Sequence, residues 1–130
     1  MAPIDVQIQT ADAAVASLAS NGVTEYFIPT TSDATTPIAE QLSVALGEVA
    51  ARNAEIVVLN IFAPLDQQVD LPEDIPTMWV DSGHTRGSNL SGLQVHAISG
   101  ATLERISLDG QTVGTVYSGP FGRYCRMTGI

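Results

Sequence analysis

Hydrophobic and polar residues alternate along many short stretches of this chain, the pattern typical of strands that bury one face. Near the start, Ile4, Val6 and Ile8 alternate with polar residues, which predicts a half-buried strand. Residues 55–62 instead contain an uninterrupted apolar run, which indicates a strand buried on both faces. Similar patterns predict strands over residues 23–28, 77–81, 93–98, 103–108, 111–117 and 123–127. We therefore expect these strands to form a mixed sheet.

A first helix is predicted over residues 11–20, because apolar residues recur there at helical spacing. Ala14, Val15 and Leu18 would share one face of this helix. The Asn21-Gly22 pair that follows is a common helix terminator.

A second helix is predicted over residues 36–53, with stronger signals at its ends. Thr36 and Pro37 suit the N-cap and first helical positions, and Glu40 lies where the helix dipole favours an acid. Glu48 and Arg52 are spaced for an ion pair on the helix surface. The apolar stripe that would face the sheet is formed by Ile38, Leu42, Ala45, Leu46 and Val49.

The second half of the chain is predicted to contain only strands. Asp109-Gly110 separates two of them and is typical of a two-residue type I′ hairpin. The predicted fold class is therefore α+β, a mixed sheet with two helices on one face. We expect a single domain over residues 1–130, in which residues 101–130 form a C-terminal hairpin extension or the start of a truncated second unit.

Charge is distributed unevenly along the chain. The formal net charge is −9 and there is no lysine, yet four of the five arginines lie at positions 86, 105, 123 and 126. An acidic chain that gathers its guanidinium groups in one region is suited to hold a small anion there, above all a carboxylate.

Several functions are disfavoured by composition. The net charge argues against nucleic-acid binding, and the absence of lysine excludes Schiff-base chemistry and a Walker A loop. His84, His96 and the single Cys125 do not have zinc-ligand spacing, so we expect no metal and no cofactor. Without a signal peptide, a disulfide pair or a membrane-spanning apolar run, a cytoplasmic protein is expected.

Parts of the chain resemble the reactive-intermediate deaminase (Rid) family, whose core is similar to that of bacterial chorismate mutase. Residues 26–28 and 37–46 are similar to its strand, loop and helix with a Glu-Gln pair, and residues 56–62 to its next strand. Residues 92–98 resemble its closing strand. A hairpin signature that opens the family's fold resembles residues 114–118 and 127–129, which here lie at the C-terminal end.

The resemblance implies a homotrimer, or an assembly with a related subunit as in the paired units of chorismatase-type enzymes. It also implies a carboxylate-binding site at a subunit interface, with hydrolysis of an imine. Two departures are evident: residues 76–79 offer no counterpart of the family's clamp arginine, and Gln94 replaces a family glutamate.

The residues proposed for the site follow from chemistry and spacing. Arg86, Arg123, Arg126 and Gln94 are candidates for substrate binding, while His84, His96 and Tyr117 are candidates for proton transfer or polarisation. Three residues apart on a strand, Arg123 and Arg126 would point to opposite faces. The alternative is that both are charges that protect a sheet edge, and Cys125 between them is expected to be a buried, inert thiol.

Two functions are consistent with these residues. The first is binding of a small carboxylate-bearing metabolite at a subunit-interface cleft, with hydrolysis of an imine, enamine or enol ether. The second is a non-catalytic structural or binding subunit of a larger Rid-like assembly. Catalysis would require the arginine and histidine side chains to converge on one pocket.

Overall fold

The computed structural model describes residues 5–10, 14–32, 37–63, 70–72, 74–81, 91–119 and 122–128. Within these residues the chain forms nine strands and one helix, in two sheets. The elements are β1 (Asp5–Thr10), β2 (Ala14–Ser20), β3 (Val23–Ser32), α1 (Ile38–Ala51), β4 (Glu55–Ala63), β5 (Thr77–Asp81), β6 (Ser91–Ser99), β7 (Leu103–Leu108), β8 (Gln111–Gly119) and β9 (Gly122–Met127).

The larger sheet has six strands in the order β1-β2-β3-β6-β4-β5. Its neighbours are antiparallel except for β4 and β5, which run parallel. Helix α1 packs on one face through Ile38, Leu42, Ala45 and Val49. Strands β3, β4 and β6 supply the other side of this core with Ile28, Leu59, Ile61, Leu93, Val95 and Ala97.

The smaller sheet has the order β7-β8-β9 and packs on the opposite face of the larger sheet. Val57, Val58, Ile98 and Tyr117 are buried between the two sheets. A polar link joins them too, because the fully buried Thr115 hydroxyl donates a hydrogen bond to the Val57 carbonyl oxygen over 2.8 Å. The larger sheet is therefore covered on both faces, by α1 and by the smaller sheet.

The predicted α+β fold class with two helices on one face is wrong, because residues 14–20 form a strand. This strand, β2, pairs with both β1 and β3. Asn21 and Gly22 have φ angles of 54° and 79° and join β2 to β3, with Ser20 opposite Val23. The Asn-Gly pair thus forms a two-residue hairpin loop instead of ending a helix, and two-sided strand pairing outweighs the helical spacing. The described fold is mostly β, with two sheets and a single helix.

Other local predictions are confirmed. Helix α1 lies within the predicted range, but Pro37 is its N-cap and not its first helical residue, and Thr36 lies outside the described residues. A guanidinium nitrogen of Arg52 lies 2.5 Å from a carboxylate oxygen of Glu48. Asp109 and Gly110 have φ angles of 51° and 81°, as the predicted β7–β8 hairpin loop requires.

Candidate functional site

The candidate site lies between the two sheets, around the imidazole of His96. Strand β6 places His96 opposite Phe27 of β3 and Val58 of β4. The Phe27 ring stacks on the imidazole, with 4.7 Å between ring centroids and an interplanar angle of 13°. Tyr117 of β8 approaches edge-on, with centroids 5.4 Å apart. These contacts leave only 3% of His96 exposed.

Two charged groups flank the imidazole. A guanidinium nitrogen of Arg126, on β9, lies 3.4 Å from Nδ1 of His96. Because a guanidinium only donates hydrogen bonds, Nδ1 is the acceptor, and the proton of the neutral ring lies on Nε2. Nε2 is buried without a hydrogen-bond partner and is 3.6 Å from Oε1 of Glu25 on β3. Arginine, histidine and glutamate therefore form a row from β9 to β3.

Burial controls protonation in this row. Burial, assisted by the positive charge of Arg126, lowers the pKa of His96 to about 4, so the ring is neutral at pH 7. Burial raises the pKa of Glu25, and Arg126 opposes that rise. The pKa of Tyr117 is raised by burial and by the charge of Glu25, while Arg126 acts in the opposite direction through its charge and a hydrogen bond.

Arg126 and Arg123 lie in different surroundings. Arg126 is solvent-exposed and reaches His96 and Tyr117. A guanidinium nitrogen of Arg123 lies 3.6 Å from Glu104, and both side chains are about 70% exposed. Arg123 also lines a small cleft of about 220 Å³ together with Tyr117 and Ser118. The two guanidinium groups therefore do not converge on one ligand position.

The remaining predicted site residues are placed as follows. Gln94 is exposed on β6, two residues from His96, and lies opposite Pro29 and Asn60 in the sheet. His84 and Arg86 lie outside the described residues. Of the seven candidates, the structure thus brings together His96, Tyr117 and Arg126.

Sequence reasoning missed the residues that enclose His96. Glu25 and Phe27 lie two apart on a predicted strand, which implies a shared face, but the pairing of β3 with β6 is not readable from local pattern. Tyr124 was also missed; its ring lies 5.6 Å from that of Tyr117. The prediction of a buried Cys125 is wrong, because β9 is exposed along its whole length and the thiol with it.

Chemically, the arrangement offers an accessible cation beside a buried neutral base. Arg126 can bind a carboxylate from solvent, whereas the imidazole is shielded by Phe27 and Tyr117. The described residues contain no group of three or more His, Cys, Asp or Glu side chains able to hold a metal ion. No helix in the described ranges has the length and apolar character needed to cross a membrane.

In comparisons with known proteins, no family model, no curated protein and no solved structure matches this chain.

Proposed function

We propose that this chain binds a small carboxylate-bearing molecule at the guanidinium of Arg126. The observation that carries the proposal is the position of this side chain. Arg126 is exposed to solvent on one side and held on the other by His96 and Tyr117, which fix its direction. A guanidinium held in this way binds a carboxylate at a lower entropic cost than a freely rotating one.

Electrostatics support an anionic ligand in preference to a cationic one. His96 is neutral at pH 7 because its pKa is about 4, so it accepts a hydrogen bond from Arg126 without repelling it. Glu25 lies on the far side of the imidazole, 3.6 Å from Nε2, and is more readily protonated than usual because burial raises its pKa. Among the described residues no carboxylate forms a salt bridge with Arg126, so its positive charge is available to an anion from solvent.

A calorimetric titration with pyruvate tests the proposal, with pyruvamide as the uncharged control. We expect Arg126→Ala to weaken pyruvate binding ten- to a hundredfold, since one charge-assisted contact contributes about 1.5–3 kcal/mol. Arg126→Lys should recover part of the loss, because an ammonium lacks the forked geometry. Arg123→Ala is the matched control on the same strand and should bind like the wild type. Equal losses in the two alanine variants, or equal binding of pyruvate and pyruvamide, would contradict the proposal.

The burial of His96 favours carboxylate binding without the hydrolysis that the first function predicted from the sequence included. A general base must reach the proton it removes, and this imidazole has 3% of its surface exposed. The assay is ammonia release from an imine of pyruvate formed in solution. We expect no acceleration by the protein; acceleration that is lost in His96→Gln would establish hydrolysis instead.

The resemblance to the Rid family implies the same class of ligand and stays a prediction, as do the homotrimer and the position of the site at a subunit interface. Sedimentation velocity at micromolar concentration is the direct measurement of the assembly. A monomer there would contradict the predicted assembly while leaving the Arg126 site open to the titration above.

A further inference from the structure

We propose that the free edge of β9 binds an extended acidic peptide as an added strand, with its two acidic residues at positions i and i+3. This inference goes beyond the proposed function, because the ligand is a polypeptide held chiefly by backbone hydrogen bonds. It rests on three features of β9: its edge position, its exposure and the placement of its charges.

The first feature is the hydrogen-bonding direction of β9. The sheet order β7-β8-β9 leaves β9 paired with β8 alone among the described strands. The Thr128 N–H donates to the Val113 carbonyl oxygen over 2.6 Å, continuing the β8–β9 register. In an antiparallel ladder such hydrogen-bonded pairs alternate with pairs whose backbone groups point away from the partner. The backbone groups of Arg123, Cys125 and Met127 therefore point to the free edge.

The second feature is exposure. All six residues of β9 are exposed, including Tyr124 at 39% and Met127 at 43%. The strand contains no proline, and its two arginines, which discourage pairing with a basic edge, do not repel an acidic strand. The backbone groups at its free edge are thus accessible to another extended chain. The exposed apolar side chains of β9 would be partly buried when such a chain is added.

The third feature is charge, which selects the occupant. Arg123 and Arg126 are the only charged residues of β9, in a chain with a net charge of −9. Pairing β9 with β9 of a second copy would bring four guanidinium groups together, so a strand carrying acids is favoured over such a homodimer. Glu104 already lies 3.6 Å from Arg123, but both side chains are exposed and can exchange partners.

The spacing of the two arginines sets the spacing of the acids. Arg126 points towards the larger sheet, where it contacts His96, whereas Arg123 points to the outer face with Glu104. A paired strand also alternates its side chains between faces, so acids opposite both arginines must lie on opposite faces as well. Positions i and i+3 satisfy this requirement, and positions i and i+2 do not.

The test is fluorescence polarisation with three labelled peptides, of which the first two have identical composition. The sequence TVEVTEVT has its glutamates at i and i+3, TVEVETVT has them at i and i+2, and a third peptide has lysine in place of both glutamates. We expect the first to bind at least fivefold more tightly than the second, and the third not to bind. Equal binding of the first two peptides would overturn the proposal.

Protein variants separate the backbone contribution from that of the charges. Arg123→Ala together with Arg126→Ala should weaken binding of TVEVTEVT at least tenfold. Cys125→Pro removes an N–H that points to the free edge, and Tyr124→Phe is its neutral neighbour control. Binding should fall in Cys125→Pro and persist in Tyr124→Phe. Should Cys125→Pro not fold, N-methylation of alternate peptide bonds in TVEVTEVT replaces it, and unchanged binding in either case would overturn strand addition.

The outcome is distinguishable from that of the carboxylate titration. Among the residues of β9, pyruvate binding requires only Arg126, so Arg123→Ala and Cys125→Pro should leave it intact while weakening peptide binding. Peptide binding without pyruvate binding would contradict the proposed function and support strand addition. Pyruvate binding without peptide binding would support the proposed function and contradict strand addition. If the wild type is a dimer that Cys125→Pro dissociates, and the peptide does not bind, a second copy occupies the edge and the inference is wrong.

Discussion

The guanidinium of Arg126 lies 3.4 Å from Nδ1 of His96 and connects the last strand of the smaller sheet to a central strand of the larger one. This contact fixes the imidazole as a neutral acceptor, since arginine can only donate. The other ring nitrogen is buried near Glu25 without a hydrogen bond. The protonation state of one residue is thus coupled to the way the two sheets are held together.

We predict that His96 makes the fold sensitive to acid between about pH 6.5 and pH 4. The folded pKa is about 4 against an ordinary value of 6.5, so in this window the unfolded chain binds a proton that the folded chain does not. The contribution of neutral His96 to the free energy of unfolding is fully present above pH 6.5 and falls as the pH decreases towards 4. The loss is on the order of 3 kcal/mol. The raised pKa of Glu25 acts in the opposite direction, because the folded chain gains a proton there more readily.

Urea denaturation at several pH values measures this effect, with His96→Phe as the comparison. The variant keeps an aromatic ring against Phe27 and should lose the component of pH dependence that histidine contributes. In a His84→Ala background, the single remaining imidazole should titrate well below pH 6 by NMR. A normal histidine titration, or equal pH slopes in wild type and variant, would contradict the prediction.

A second prediction concerns the buried link between the sheets. Thr115→Val keeps the shape of the side chain but removes the hydroxyl that donates to Val57 over 2.8 Å and accepts from Arg105 over 2.5 Å. We expect a loss of about 1–3 kcal/mol, because the carbonyl and guanidinium are left with poorer partners. Thr112→Val, on the same strand and only half-buried, is the control and should change the free energy of unfolding far less. Similar losses in both would show that the link is unimportant.

A third prediction separates backbone strain from steric overlap at two glycines. Gly100 and Gly110 have nearly equal φ angles of 80° and 81°. A Cβ at Gly110 would meet nothing within 4 Å, whereas one at Gly100 would overlap the carbonyl oxygen of Gly22. Gly110→Ala should therefore lower the free energy of unfolding by about 1–2 kcal/mol, because the left-handed backbone is strained for alanine. Gly100→Ala should lower it by about 1–3 kcal/mol more, because of the steric overlap. Thermal denaturation of the pair compares them, and equal melting temperatures would contradict the overlap.

Local signals predicted the elements that depend on local chemistry. The Asp109-Gly110 loop formed the expected hairpin, and Glu48 pairs with Arg52 on α1 as their spacing predicts. Local signals also produced the incorrect helix over residues 11–20. Asn21-Gly22 is a hairpin signal as well as a helix terminator, and the spacing of Ala14, Val15 and Leu18 favoured a helix over a strand. Only the pairing of β2 with both neighbours decides between them.

The candidate site was harder to predict because its residues come from four strands. Sequence reasoning named His96, Tyr117 and Arg126 separately, on the basis of their chemistry. Their contact depends on the smaller sheet folding over the face of β6, a long-range packing that local alternation does not specify. Glu25 was missed for that reason, since a single acid on a strand has no local signature of a site.

The last prediction concerns Glu25 and tests whether Arg126 or Arg123 binds the ligand carboxylate. The Glu25 carboxylate interacts electrostatically with Arg126 across the imidazole of His96 and opposes a bound anion, as Glu104 does near Arg123. Glu25→Gln should therefore strengthen pyruvate binding by about two- to fivefold, the effect of removing roughly 0.5–1 kcal/mol of repulsion. Glu104→Gln should leave affinity unchanged, because Glu104 is about 70% exposed and pairs with Arg123 on the face of the smaller sheet opposite to Arg126. If Glu104→Gln strengthens binding and Glu25→Gln does not, the carboxylate is held by Arg123, and the row from Glu25 through His96 to Arg126 serves only to join the sheets.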